Sequence, residues 1–257
     1  MDAKLQNYKL ESIYYFIGII QESIDCQFDF WNFDAEQFVK SALKFNKISL
    51  LHVYVSSTLS CYFSRYFRKN ADLIESEDIC WWIELMHTYR VGIDQVSFND
   101  KDEDFVDKWY NRNEVAFEKL FLVMANEIVH ILFSDMNFLH KFNQLVARAI
   151  KDEDQSYTDI ITWPQNSRNI DGTIKRCTIP HWVKRAVYHR DKGHCVFCNK
   201  DLTCLVTRLN NKNYDHIIPL KQYGANDPCN IQLTCETCNK TKGCKHLIPD
   251  YNYQSWW

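Results

Sequence analysis

Cys195-Val196-Phe197-Cys198, then Asp215-His216-Ile217-Ile218-Pro219, then Asn230, then Cys235-Glu236-Thr237-Cys238-Asn239: the reading of this 257-residue chain turns on that stretch. Each Cys-x-x-Cys pair sets two sulfurs on one tight turn, and two pairs complete a tetrahedral S4 shell for Zn2+ with no open position. Such a site is structural. Between and beside the cysteines, His216 offers an imidazole that titrates near neutral pH, while Asp215 and Asn239 offer oxygen donors suited to a second, harder ion. Two metal chemistries therefore share one short segment.

Local structure follows from the same residues. Asn213 to Pro219 reads as a short strand ending at a proline, and Asn239-Lys240-Thr241-Lys242 can form a helix, so the implied order is strand, loop, strand, helix. Upstream, Pro180 to Arg190 reads as a helix with proline at its first turn, leading through Asp191-Lys192-Gly193 into the first cysteine pair. Lys184, Arg185 and Arg190 on that helix could follow the backbone of a polyanion. Lys221, Lys240 and Lys242 lie beside the Asp-His pair and could contact phosphate.

Asp215, His216, Asn230 and Asn239, framed by the four cysteines, resemble the zinc-stapled HNH endonucleases of the ββα-metal type. The likeness runs from about Pro180 through Gly243 and includes Val187, Arg190-Asp191, Gly193, Pro219 and Lys242. It implies a phosphodiester hydrolase acting on nucleic acid, double-stranded DNA above all, and leaving a 5′-phosphate. His216 would be the general base, Asp215 and Asn239 would hold one Mg2+ or Mn2+, and Asn230 would orient His216 and brace the intervening loop. Asn239 stands where the family's name expects a second histidine, and its amide oxygen can still serve as a ligand. The alternative is a non-catalytic, zinc-dependent nucleic-acid-binding protein with a helical interaction domain.

The rest of the chain has a different texture. Up to residue 165 there are 16 Lys+Arg against 26 Asp+Glu, a net charge of -10; beyond it there are 14 against 7, a net charge of +7. A basic module is fused to an acidic one, and the basic part is the one expected to meet a polyanion. No proline precedes Pro164, and Leu10, Ile13, Ile17 and Ile20 recur at helical spacing, as do Phe117, Leu120, Phe121, Met124, Ile128, Ile131 and Leu132. Weaker helical patterns cover Ala35 to Phe45, Leu51 to Arg68 and Trp81 to Tyr89. This part carries no family resemblance.

These features predict an α+β multidomain protein: an acidic all-α domain over 1–163, a linker over 164–178 rich in turn formers, and a small zinc-stapled ββα-metal domain over 179–257. The helical domain is expected to regulate, bind a protein partner or self-associate. A role in anti-phage defence or a mobile element is a fold-level analogy. Eight of the eleven cysteines fall between Cys177 and Cys244, which suits metal ligation in a reducing, cytoplasmic compartment. Cys177, Cys204, Cys229, Cys244 and His246 lack paired spacing and are read as packing residues, like Trp256 and Trp257. The run Asn99 to Asp104 reads as a solvated turn, and no stretch is apolar enough to span a bilayer.

Overall fold

A computed structural model describes residues 8–25, 35–93, 105–151, 162–203 and 211–249. The run Asn99 to Asp104, Cys204, Trp256 and Trp257 lie outside them. Among the described residues, seven α-helices precede the first strand: α1 (Ile13–Asp25), α2 (Ala35–Leu43), α3 (Leu50–Lys69), α4 (Ser76–Thr88), α5 (Phe105–Leu132), α6 (Met136–Lys151) and α7 (His181–Arg190). Then come β1 (Tyr214–His216), β2 (Ile231–Leu233) and α8 (Glu236–Lys242). The architecture is mostly helical with a small C-terminal two-stranded ββα unit, as the sequence predicts. Helix α6 is the element the hydrophobic reading passed over. No helix among the described residues is long and apolar enough to cross a membrane.

The helical part is organised by aromatic rings. Phe63 and Phe67 on α3 meet Phe121 and Phe117 on α5 at ring-centre distances of 5.5 and 5.3 Å, and Trp82 on α4 closes on Phe63 at 4.7 Å. Such pairs add about 0.5–1.5 kcal/mol each beyond the area they bury. On α5 the buried Glu127 accepts from Lys9 N, Leu10 N and the Tyr89 hydroxyl, so its charge is met by three donors.

The two parts of the chain do not sit apart on a tether. Ile174, Ile217, Ile218, Ala225 and Cys229 are buried in the same apolar cluster as the helices. Asn226 N donates to Ala42 O (2.9 Å), Asn226 Nδ2 to Leu43 O (3.1 Å), and Asn143 Nδ2 to Cys229 O (2.9 Å). Helix α3 begins with backbone N–H groups that have no intrahelical partner, and the one on Leu50 donates to Asp227 Oδ2 at 2.8 Å. A carboxylate from the C-terminal module thus caps a helix 177 residues earlier in the chain. Within 164–178, Arg168 pairs with Ile174 in a β-bridge and donates to Ile150 O.

A second apolar cluster belongs to the C-terminal module: Val183, Val187, Leu202, Tyr214, Ile231 and Leu233, with Cys195 and Cys235. Phe133, just after α5, packs against both clusters.

Candidate metal centres and active site

The zinc staple is built from two turns and one short sheet. Gly193, at φ 70°, turns the chain after α7 into the first cysteine pair, and the second pair opens α8, where Cys235 accepts from Cys238 N. Cys195, Cys198, Cys235 and Cys238 place their sulfurs within 4.8 Å of one another, and the Cys198 and Cys235 sulfurs are 3.8 Å apart. Zn–S bonds of about 2.3 Å in a tetrahedron require sulfur edges of about 3.8 Å, so the four thiols fit a structural zinc ion. Burial raises the Cys195 thiol; it pushes Cys235 the same way, but hydrogen bonds from Cys238 N and the neighbouring thiols overcome that and bring Cys235 down to about 7. No other cluster of metal-ligand type is found among the described residues.

The staple fixes β2. Leu233 O accepts from Val196 N in the first cysteine turn, Leu233 N donates to Asp191 Oδ2, and Ile231 O accepts from Arg190 Nη2. The outer edge of a two-stranded sheet would otherwise expose these groups unpaired. On its other side β2 runs antiparallel to β1, pairing Tyr214 with Leu233, Asp215 with Gln232 and His216 with Ile231.

Asp215 and His216 are both buried, and Lys242 reaches them from α8. Its Nζ donates to Asp215 Oδ2 (2.6 Å) and to His216 O (2.7 Å). Asn230 braces the connecting loop: its Oδ1 accepts from Ile218 N, and its Nδ2 donates to Ile218 O and Ala225 O. Asn239 is half-buried on α8 and donates through Nδ2 to Lys212 O (2.7 Å), which turns its amide oxygen away from that carbonyl.

The polar atoms left over are concentrated on the two strands and their flanks. Both amide atoms of Gln232, the Thr234 hydroxyl and Asn213 Oδ1 are buried without a hydrogen bond among the described residues, and the buried His216 nitrogens make none of good geometry, Asn226 being the side chain that approaches them. Buried polar atoms are normally satisfied, so such a group marks room for ordered water, an ion or a ligand. Asp215 and the cross-strand Gln232 share one face of the two strands, and their side-chain oxygens are of the type a hard divalent ion takes, which binds one or two carboxylates and keeps several waters. Burial first, then the charges of Arg176 and Lys242, press the His216 imidazole down to about 3, against a small opposing pull from Asn226. At neutral pH the ring is uncharged, but so low a value makes it a weaker base than the near-neutral imidazole the sequence suggests.

The basic residues divide by location. Arg185, Lys221 and Lys240 are exposed, Lys240 pairing with Glu236 at 2.8 Å. Lys184 is buried, with its ammonium 5.9 Å from the Tyr214 ring centre. The Arg190 side chain, 1% exposed, is bound to Asp191, to Ile231 O and over the Phe133 ring. Lys242 is buried against Asp215.

Sequence reasoning passed over several residues of this site. Asn226 is buried beside His216 and bonded to Ala42, Leu43, Lys175 and Cys177. Arg176 lends positive charge to His216, and Gln232 faces Asp215 across the sheet. Gln232 alone had a local signal, the two-residue alternation of a strand. The leftover thiols are packing groups in part: Cys229 Sγ lies 3.6 Å from Ser49 Oγ and Cys177 Sγ 3.3 Å from Leu43 O, while Cys244 is exposed. His246 instead meets His140 of α6, with rings stacked at 4.5 Å.

Comparison with known proteins matches residues 195–245 to the HNH endonuclease family model. No curated protein and no solved structure matches the chain. The matched segment contains all four zinc-type cysteines, both strands and α8, so the C-terminal module is similar to HNH endonucleases, a likeness that supports a nuclease-related function with nucleic acid as the class of ligand.

Proposed function

We propose that the chain is a metal-dependent HNH endonuclease that hydrolyses phosphodiester bonds, with DNA as substrate and His216 as general base. The observation that carries this reading is the buried His216 imidazole, uncharged at neutral pH, next to Asp215 along β1 and beside Asn226, within the segment that matches the HNH family model. His216 takes the proton of an attacking water, and Asn230 holds the loop that fixes it at the end of β1. Asp215 and Asn239 would hold the Mg2+ or Mn2+, which supplies charge neutralisation at the scissile phosphate when bound. Lys242 already neutralises Asp215, so an incoming ion must share or displace that ammonium. Arg176, with Arg185, Lys221 and Lys240, offers positive charge for the phosphate backbone. The zinc ion at Cys195, Cys198, Cys235 and Cys238 holds the module's shape.

The helical portion, residues 1–163 in this reading, governs access to the site through a protein partner or a second copy. Restraint of that kind suits a cytoplasmic nuclease used in anti-phage defence or by a mobile element.

The test is incubation of the full chain with supercoiled plasmid and with structured RNA, in Mg2+ or Mn2+, beside His216→Ala. The expected result is plasmid nicking or linearisation that falls by about a hundredfold or more in His216→Ala. Zinc content should be the same in both proteins. Equal cleavage by both removes His216 from the chemistry, and no cleavage of either substrate favours the non-catalytic zinc-dependent binding protein.

A further inference from the structure

Two helices of the acidic half, α3 and α6, are of opposite character, with basic residues and no carboxylate. Helix α6 reads Met-Asn-Phe-Leu-His-Lys-Phe-Asn-Gln-Leu-Val-Ala-Arg-Ala-Ile-Lys and contains no carboxylate. Lys141, Gln144, Arg148 and Lys151 recur along it at three- and four-residue intervals, which places them on one stripe. Favourable interaction of Arg148 and Lys151 with the negative helix end accounts for their place in the last turn. It does not account for what lies opposite.

Across from that stripe, a cavity of about 390 Å3 opens between α6 and the loop that follows β1. Gln144, Arg148 and Lys151 line one wall, and Lys221, Tyr223 and His246 line the other. Ile218, also in the wall, is two residues beyond His216. Among the described residues, the lining holds Arg148, Lys151 and Lys221 and no carboxylate; of these, Arg148 and Lys221 carry the argument, since Lys151 is engaged elsewhere. The exposed Asp171, which interacts with Lys221 through charge, is hydrogen-bonded by the Thr173 N–H and hydroxyl. A volume of this size admits a nucleotide-sized group, and a wall of guanidinium, ammonium and aromatic side chains suits phosphate together with a base or sugar.

We infer that this cavity is a second contact for the nucleic-acid backbone, in which Arg148 and Lys221 grip phosphate on the strand flanking the His216 site. The inference rests on the nuclease reading and extends it, because it assigns part of the substrate surface to a helix outside the matched HNH segment. The acidic portion then contributes one basic stripe to the substrate path and is not purely a regulatory body.

The test uses the full chain carrying His216→Ala, so that binding is read without turnover, and follows a labelled DNA duplex by fluorescence anisotropy over a series of salt concentrations. Adding Arg148→Glu should weaken binding by about tenfold or more, and Arg148→Gln should lower the slope of log affinity against log salt by about 0.9, the value for one phosphate no longer neutralised. Arg148→Lys should restore most of the affinity. Unchanged melting temperature and zinc content would show that the variants are folded. If the parent binds and wild type cleaves, yet Arg148→Glu and Arg148→Gln match the parent in affinity and salt slope, this inference fails and the nuclease reading stands. If the parent binds neither duplex nor structured RNA, both fail. A third arm titrates AMP alone: Arg148-dependent AMP binding with duplex affinity untouched would assign the cavity to a free nucleotide and overturn the strand contact.

Discussion

Gly224 shows how tightly a single residue is specified in the loop between the strands. A Cβ built there would lie 2.0 Å from Ile218 O and 2.9 Å from Asn230 Nδ2, both inside van der Waals contact. The obstacle is backbone, which cannot swing aside as a side chain would. Gly224→Ala should therefore destabilise the protein by on the order of 3 kcal/mol, read as a fall in melting temperature, and should break the Asn230 bonds that hold Ile218. A melting temperature within a degree of wild type would show that the loop can open at no cost. Neither the need for glycine here nor the role of Asn226 was legible in the sequence, because both depend on how closely two distant backbone segments approach. His216, Asp215, Asn230 and Asn239 were legible as residues, since their spacing is written in the chain. That Asp215 is paired with Lys242, and that Asn239 spends its amide on Lys212, was not.

At the scale of elements, β1 and β2 are three residues each and cannot stand as a sheet alone. They persist because α7, the first cysteine turn and α8 take up their edges, and the thiolate shell joins those pieces. Cys198→Ser should abolish stoichiometric zinc, measured by metal analysis, and unfold the ββα unit as followed by proteolysis, because structural zinc contributes on the order of 10 kcal/mol of folding free energy. Retained folding without metal would mean that the apolar cluster around Val183, Val187 and Leu233 suffices. Most helical elements were legible from an apolar stripe at the helical period, but α6 was passed over although Leu139, Phe142, Val146 and Ile150 recur at that spacing. Helix α3 extends one residue beyond its predicted range at either end, and its first turn is completed by Asp227, a partner no local pattern could announce.

At the scale of the whole molecule, buried titratable groups tie stability to pH. Burial holds His52 near 4, and burial together with the charges of His246 and Lys242 does the same to His140; His216 lies lower still. Their unfolded values are near 6.5, so between pH 6.5 and about 4 the unfolded chain binds more protons and stability falls as pH falls. Burial raises Asp227 to about 6, with an opposing pull from the Leu50 and Cys229 N–H groups. That group takes up a proton on folding between its ordinary value and 6, which acts in the contrary direction and offsets part of the fall. Three histidines against one aspartate leave a net acid destabilisation, with full stability above about pH 6.5. Thermal denaturation from pH 7.5 to 5 should show the melting temperature level at first and then falling, less steeply in His140→Gln. A melting temperature that rises on acidification would contradict the burial of these rings.

The sequence by itself determined the chemistry: four thiols spaced for zinc, an Asp-His pair between them, and a helical, acidic companion, because ligand spacing and apolar period are properties of the chain read in order. Tertiary structure alone decided how those parts are used. It placed Ile217, Ile218 and Cys229 in the core of the helices, capped α3 with Asp227, enclosed His216, and brought the basic stripe of α6 against Lys221. The physical reason is that burial and charge proximity depend on the approach of residues far apart in the chain, which no local pattern records.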